Sequence, residues 1–209
     1  MVIFIQPLSM VSFLLFFLVM LIIIIQLTYF FTKRKRIWEL RRMSTIFIVG
    51  FPNSGRSFIM RNLSGSNEGF LDKILNISYI DIVYNGRTAI KILDHEGVFS
   101  IEGKINDVFM RDVKAIDPEC IVAVIDVSWF SPPIENQIQF ILKMKEEFKG
   151  KKFFVVANKV DKTSKEKLRR IERVFGKKYY KIRINHPEDV EKLKRDLMEF
   201  LTKGGKSHI

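Results

Sequence analysis

The residues of this chain with the clearest chemical spacing are Gly50-Phe51-Pro52-Asn53-Ser54-Gly55-Arg56-Ser57, read as GFPNSGRS. Two glycines five residues apart let a backbone curl so that successive N–H groups point inward, and a helix opening at the second glycine adds its partial positive charge. That is a cradle for phosphate oxygens, assigned to Gly50, Asn53, Ser54, Gly55, Arg56, Ser57 and the adjoining Phe58. Ser57 falls where a hydroxyl ligates a Mg²⁺ ion bridging the outer phosphates. Arg56 stands where such a loop ordinarily has lysine. It keeps the charge but replaces a compact ammonium with a broad planar fork, so altered phosphate handling is expected.

Two further loops complete a pattern. Asp94-His95-Glu96-Gly97 follows the β-rich run TAIKILD. A carboxylate at a strand tip can hold Mg²⁺ through water, which assigns Asp94 with Ser57 to the metal, and the N–H of Gly97 is placed to meet a terminal phosphate. Asn158-Lys159-Val160-Asp161 ends the run KKFFVVANKVD. One ionised carboxylate, Asp161, accepts both the N1–H and the 2-amino donors of guanine, a pair that adenine lacks. Asn158 would brace the loops, and the Lys159 stem would lie over the base.

These loops need strands to end on, and the sequence supplies them in alternation. STIFIVG reads as a strand, SFIMRNL as a helix, and LNISYIDIVYNGRTAIKILD as two strands joined at Asn85-Gly86. CIVAVIDVS and KKFFVVAN are continuous apolar runs typical of strands covered on both faces. IENQIQFILKMKEEF, SKEKLRRIERVF and PEDVEKLKRDLMEFL read as helices, with YYKIRI as a last strand. The pattern predicts an α/β fold with a mainly parallel mixed sheet, helices on both faces and one antiparallel edge strand. Ligands in such sheets sit at the carboxyl ends of the strands, where all three loops lie.

Before the first strand lies a different kind of segment. Met1 to Thr32 contains no charged residue, and residues 10–31 are apolar enough to cross about 30 Å of hydrocarbon as one helix. A cleaved signal peptide would show a charged beginning, a shorter apolar core and a small-residue cleavage site, none of which is present. The following segment, 32–43, holds six basic residues against Glu39. Positive residues stay on the cytoplasmic side, so the expected order is a non-cytosolic tail 1–9, a span 10–31, a basic linker 32–43, a cytosolic domain 44–202 and a tail 203–209. The linker reads equally as a lipid-headgroup contact or as a solvated connector. Formal charge is +12, yet it is spread over helices rich in both Lys and Glu, so no direct nucleic-acid binding is expected. The single cysteine, Cys120, sits in an apolar run and reads as a buried structural thiol. Asn62-Leu63-Ser64 and Asn76-Ile77-Ser78 are glycosylation-type triplets that would be modified only in the opposite orientation.

GFPNSGRS, DHEG and NKVD, in this order and each after a strand, resemble the P-loop, Mg²⁺/γ-phosphate and guanine motifs of the Ras-like small GTPases. The resemblance covers residues 44–202 and implies a P-loop small-GTPase fold binding GTP or GDP with Mg²⁺. With the N-terminal span, the basic linker and CIVAVIDVSWF, the nearest resemblance is to the beta-subunit family of the signal recognition particle receptor. That implies a single-pass endoplasmic reticulum protein whose cytosolic G domain docks the receptor's alpha subunit. An Arf-like trafficking GTPase and a nucleotide-free docking scaffold are the alternatives.

The departures concern γ-phosphate handling. Val98 stands where many members of the resembled family carry a water-orienting glutamine, which implies at most slow hydrolysis unless His95 or a partner supplies a group. No threonine occurs in LSGSNEGFLDKILNIS, where the first switch loop should lie, leaving Ser64, Ser66 or Ser78 as substitutes. Asn185-His186-Pro187 replaces the family's usual last base-contacting loop.

Overall fold

A computed structural model describes residues 10–65, 69–73, 75, 77–84, 87–95 and 107–204. The chain divides into two compact units, Met1–Arg36 and Ile37–Ile209.

In the first unit, the helix α1 (Met10–Arg41) begins and its apolar stretch lies. Apolar side chains are exposed all around it, so this helix is long and apolar enough to cross a membrane. Its two threonines are satisfied inside the helix: the Thr28 hydroxyl donates to the Ile24 carbonyl at 2.8 Å and that of Thr32 to Thr28 at 2.7 Å. Back-bonding of this kind lets a hydroxyl sit in an apolar helix without an outside partner. The basic residues 33–36 continue the same helix without a break.

The second unit is an α/β sandwich. Its strands are β1 (Ser44–Gly50), β2 (Phe70–Asp72), β3 (Ile77–Tyr84), β4 (Arg87–His95), β5 (Cys120–Asp126), β6 (Lys152–Asn158) and β7 (Tyr180–Ile182). They form one sheet in the order β2-β3-β4-β1-β5-β6-β7. All pairs from β4 to β7 are parallel; β3 runs antiparallel to β4, and β2 antiparallel to β3. One strand, β3, runs against the rest of the sheet, as the sequence predicts, but it is not the edge: β2 pairs outside it and, being antiparallel to β3, runs with the other strands. The extra strand is held by only three register pairs and by the Phe70 ring stacked on Tyr79 at 5.6 Å, too short a stretch to announce itself by alternation. Asn85-Gly86 lies outside the described residues.

Alternation along β1 and β5 sends side chains to two cores. Ile46, Ile48, Val122 and Val124 pack with α2 (Arg56–Ser64) and α6 (Glu188–Gly204). Phe47, Val49, Ile121, Ala123 and Ile125 pack on the other face with α3 (Asp107–Ile116), α4 (Ile134–Glu147) and α5 (Lys165–Phe175). At about 1.5–3 kcal/mol for each large side chain fully removed from water, these two faces hold the sheet rigid beneath its loops. The helix α3 is additional to the elements predicted from sequence. Leu40, in the last turn of α1, is buried in the second core, so the compact unit begins ahead of the first strand.

Candidate nucleotide site at the strand tips

β1 is the switch point of the sheet: α2, which follows it, covers one face, and β4 and β5 flank it on either side. The loop from Gly50 to Ser57 therefore opens at the crevice where such folds take ligands. Two glycines make it possible. Gly50 is paired with Val124 of β5, and a Cβ there would lie 2.5 Å from the Val124 carbonyl oxygen. Gly55 has φ 94°, and a Cβ there would lie 2.1 Å from Asn158 Nδ2. Asn53 also takes the left-handed conformation, with φ 61°. No side chain caps α2 at Gly55, so its first-turn N–H groups are left for a ligand.

Asn158 and Lys159 lace this loop to its neighbours. The Asn158 amide, 3% exposed, donates to the Ser54 carbonyl at 2.8 Å and accepts from the N–H of Lys159 at 2.9 Å. The Lys159 ammonium donates to the Asn53 carbonyl at 2.7 Å and to Asp126 Oδ2 at 2.6 Å. Asp126, at the tip of β5, also accepts from the N–H of Ser128 at 2.8 Å, and its own backbone is clamped by the buried Gln137 of α4 at 2.9 Å in both directions. Asp126 and Gln137 were not among the residues singled out by spacing. The acid at the end of CIVAVID was the available signal, but nothing local ties it to Lys159.

Asp161 lies on the exposed 3₁₀ turn Val160–Lys162, and its Oδ1 accepts from the N–H of Ile184 at 2.9 Å. This contact brings the loop after β7 against the loop that carries Asn158 and Asp161. Asn185 holds φ 57° there. Beyond it, Asp189 accepts from the backbone and side chain of Arg183 at 2.8–2.9 Å, which holds its carboxyl at about 2, below the ordinary 3.8.

At the phosphate end, Asp94 is paired in register with Ile48 of β1 and Ser78 of β3. Ser57, Ser78 and Asp94 line one cleft of about 340 Å³ together with Gly69, Phe70 and Leu71 of the β2 segment. Of the three serines weighed for the switch, Ser78 is the one in this cleft; the Ser64 hydroxyl donates to Arg61 at the end of α2, and Ser66 lies outside the described residues. Hydroxyl and carboxylate oxygens are the hard donors that Mg²⁺ takes along with water and phosphate, so Ser57 and Asp94 fit that ion. Among the described residues no group of three or more acidic, histidine or cysteine side chains could hold a metal without such help. Arg56 reaches across this region: its Nη1 donates to the Gly50 carbonyl at 2.8 Å, and its Nε lies 3.2 Å from Asp94 Oδ1. Gly97 and Val98 lie outside the described residues, as does the side chain of His95. Phe58 is half-buried in the first turn of α2 and packs against the core on that face.

The chain is 25% identical over 193 residues to the GTPase Obg of Thermosipho africanus, a match covering 84% of this chain and 43% of that protein. It thus spans less than half the length of that relative. Among solved structures, the G domain of the T. maritima FeoB iron transporter superposes with a TM-score of 0.54 at 21% identity, covering 76% of this chain and 98% of that one. SsGBP in complex with GDP superposes with a TM-score of 0.53 at 20% identity, covering 78% and 51%. At such identities these two show the fold alone. Residues 45–159, from β1 to Lys159, match the family described as 50S ribosome-binding GTPase. Membership in a GTPase family implies binding of GTP and GDP, typically with Mg²⁺. With more than half of its length matched, this chain belongs to the 50S ribosome-binding GTPase family.

Proposed function

We propose that the chain is a membrane-anchored guanine-nucleotide switch of slow turnover, whose bound nucleotide orders the β2 segment into a docking face for a protein partner. The observation that carries this is the lacing of three strand-tip loops by Asn158 and Lys159, which ties the glycine loop after β1 to the tips of β5 and β6 in one crevice. In this reading the N–H groups of Asn53 and of Gly55 to Ser57, with the charge of Arg56, take the phosphates, while the Ser54 N–H closes the turn on the Phe51 carbonyl. Asp161, steadied by Ile184, reads guanine through its two adjacent donors. Ser57 and Asp94 would hold Mg²⁺, which when bound neutralises charge on the outer phosphates. Slow turnover follows from Val98, whose side chain cannot hydrogen-bond a water.

The anchor is α1: its apolar stretch crosses the bilayer and residues 33–36 stay on the cytoplasmic side with the G domain. The narrower reading is that the membrane is the endoplasmic reticulum and the partner is the alpha subunit of the signal recognition particle receptor. What supports it is the order of a single N-terminal apolar helix, a basic segment and a G domain. Binding of labelled GTP, GDP and ATP to the full chain in mild detergent tests the first reading. Guanine-selective binding that Asp161→Ala abolishes is expected; equal binding of ATP, or none of any nucleotide, overturns it. Capture of the alpha subunit's N-terminal domain by the GTP-loaded chain tests the second, and no capture in any nucleotide state refutes it.

A further inference from the structure

Arg56 is positioned differently from a charge waiting for a ligand. Its side chain is 11% exposed and that of Asp94 7%, and the guanidinium bridges the Gly50 carbonyl and the Asp94 carboxylate. Gly50 ends β1, and Asp94 sits on the adjacent β4, opposite Ile48. The bridge therefore ties two neighbouring strand tips beneath the cleft that Ser57 and Ser78 line. One of the five guanidinium N–H donors is spent on the Gly50 carbonyl, the approach to Asp94 is an ion pair, and the charge on the group is permanent.

A carboxylate at this strand tip favours Mg²⁺ because its negative charge is available to the ion through water. Paired with Arg56, Asp94 has its charge compensated from inside the protein, and a divalent cation entering the cleft meets a fixed positive group a few ångströms away. We propose that Arg56 serves as the internal counter-ion of Asp94 and thereby uncouples guanine-nucleotide binding from Mg²⁺. The same fixed charge compensates part of the phosphate charge, so the nucleotide is held with or without the ion. This rests on the nucleotide-binding reading above, and it assigns to Arg56 a specificity role that a lysine, with its compact and flexible ammonium, would fill less completely.

The test is the affinity of the full chain in mild detergent for fluorescent GDP, measured in excess Mg²⁺ and in excess EDTA. For the wild-type chain the two affinities are expected to agree within about threefold, whereas Arg56→Lys should restore a Mg²⁺ preference of about tenfold or more, an ordinary coupling between two bound ligands. A second variant guards against misfolding of the first. Asp94→Asn frees the guanidinium, and its EDTA affinity should rise about fivefold, the low end of an ordinary coupling between two groups. A Mg²⁺ preference above about tenfold in the wild-type chain overturns the inference and leaves the nucleotide reading intact. So does an Asp94→Asn chain that keeps its EDTA affinity and loses only the Mg²⁺-supported part. No GDP or GTP binding in either buffer overturns both.

Discussion

Removing the Lys159 ammonium should cost more stability than removing Lys159 and the Asp126 charge together. The contact is 2.6 Å long, Asp126 is 4% exposed, and the lysine side chain is 23% exposed. At an effective dielectric of about 20, the gross attraction is about 6 kcal/mol, most of it offset by the desolvation of both groups. Taking one partner from a fully buried pair costs about 3–5 kcal/mol. Because water reaches the lysine end, about 2–3 kcal/mol is the better figure for Lys159→Met, and it includes the lost bond to the Asn53 carbonyl. For a domain of this size that lowers Tm by about 5–10 °C. Asp126→Asn keeps an oxygen to accept from Ser128 and removes the stranded charge. The double variant should therefore recover about 2 kcal/mol relative to the sum of the single changes. Thermal unfolding of the full chain in mild detergent, followed by the fluorescence of Trp129 on the loop after β5, measures all three. A Lys159→Met shift below about 2 °C, or additive single and double changes, would refute the lacing role.

Gly55→Ala puts a Cβ against Asn158 Nδ2 at φ 94°, so it should cost about 2–4 kcal/mol and abolish GDP binding. Gly150→Ala, at φ 91° with nothing within 4 Å, should cost only the backbone strain of about 1–2 kcal/mol, and equal losses in the two melts would show that the clash does not matter. The Asp189 carboxyl, held at about 2, contributes stability that is complete above its ordinary 3.8 and is lost as pH falls toward 2. The Tm difference between wild type and Asp189→Asn should accordingly shrink between about pH 4 and pH 2, and a difference that persists at the acid end contradicts the pairing with Arg183. Cys120 is fully buried and its thiol is pushed up to about 12 by burial, so iodoacetamide at pH 8 should modify it only after denaturation. Rapid labelling of the native chain would show that β5 opens.

Much of the fold was legible because its signals are local. Unbroken apolar runs marked β5 and β6 as covered strands, and helix start and stop signals marked α4, α5 and α6. A long uncharged stretch marked α1. The strand-loop-helix order around GFPNSGRS points to a phosphate loop from sequence alone, since glycine spacing constrains backbone geometry. Two elements were less legible for opposite reasons. β2 is three residues long and exists through its pairing with β3, and α3 follows a stretch with no motif to frame it.

The site divides along the same line. Residue types and spacing alone determined that Gly50, Gly55 and Asp161 occupy strand-tip loops and that Arg56 brings a permanent charge to the first of them. Only the tertiary structure decided what those groups touch. Asn158 reaches Ser54 across 104 positions, Lys159 finds Asp126, Asp161 receives the Ile184 N–H, and Arg56 closes on Asp94. The physical reason is that propensity and periodicity act within a few residues, whereas strand order sets which tips are neighbours. Placing β1 between β4 and β5, with β6 next, is what turns four separate loops into one crevice.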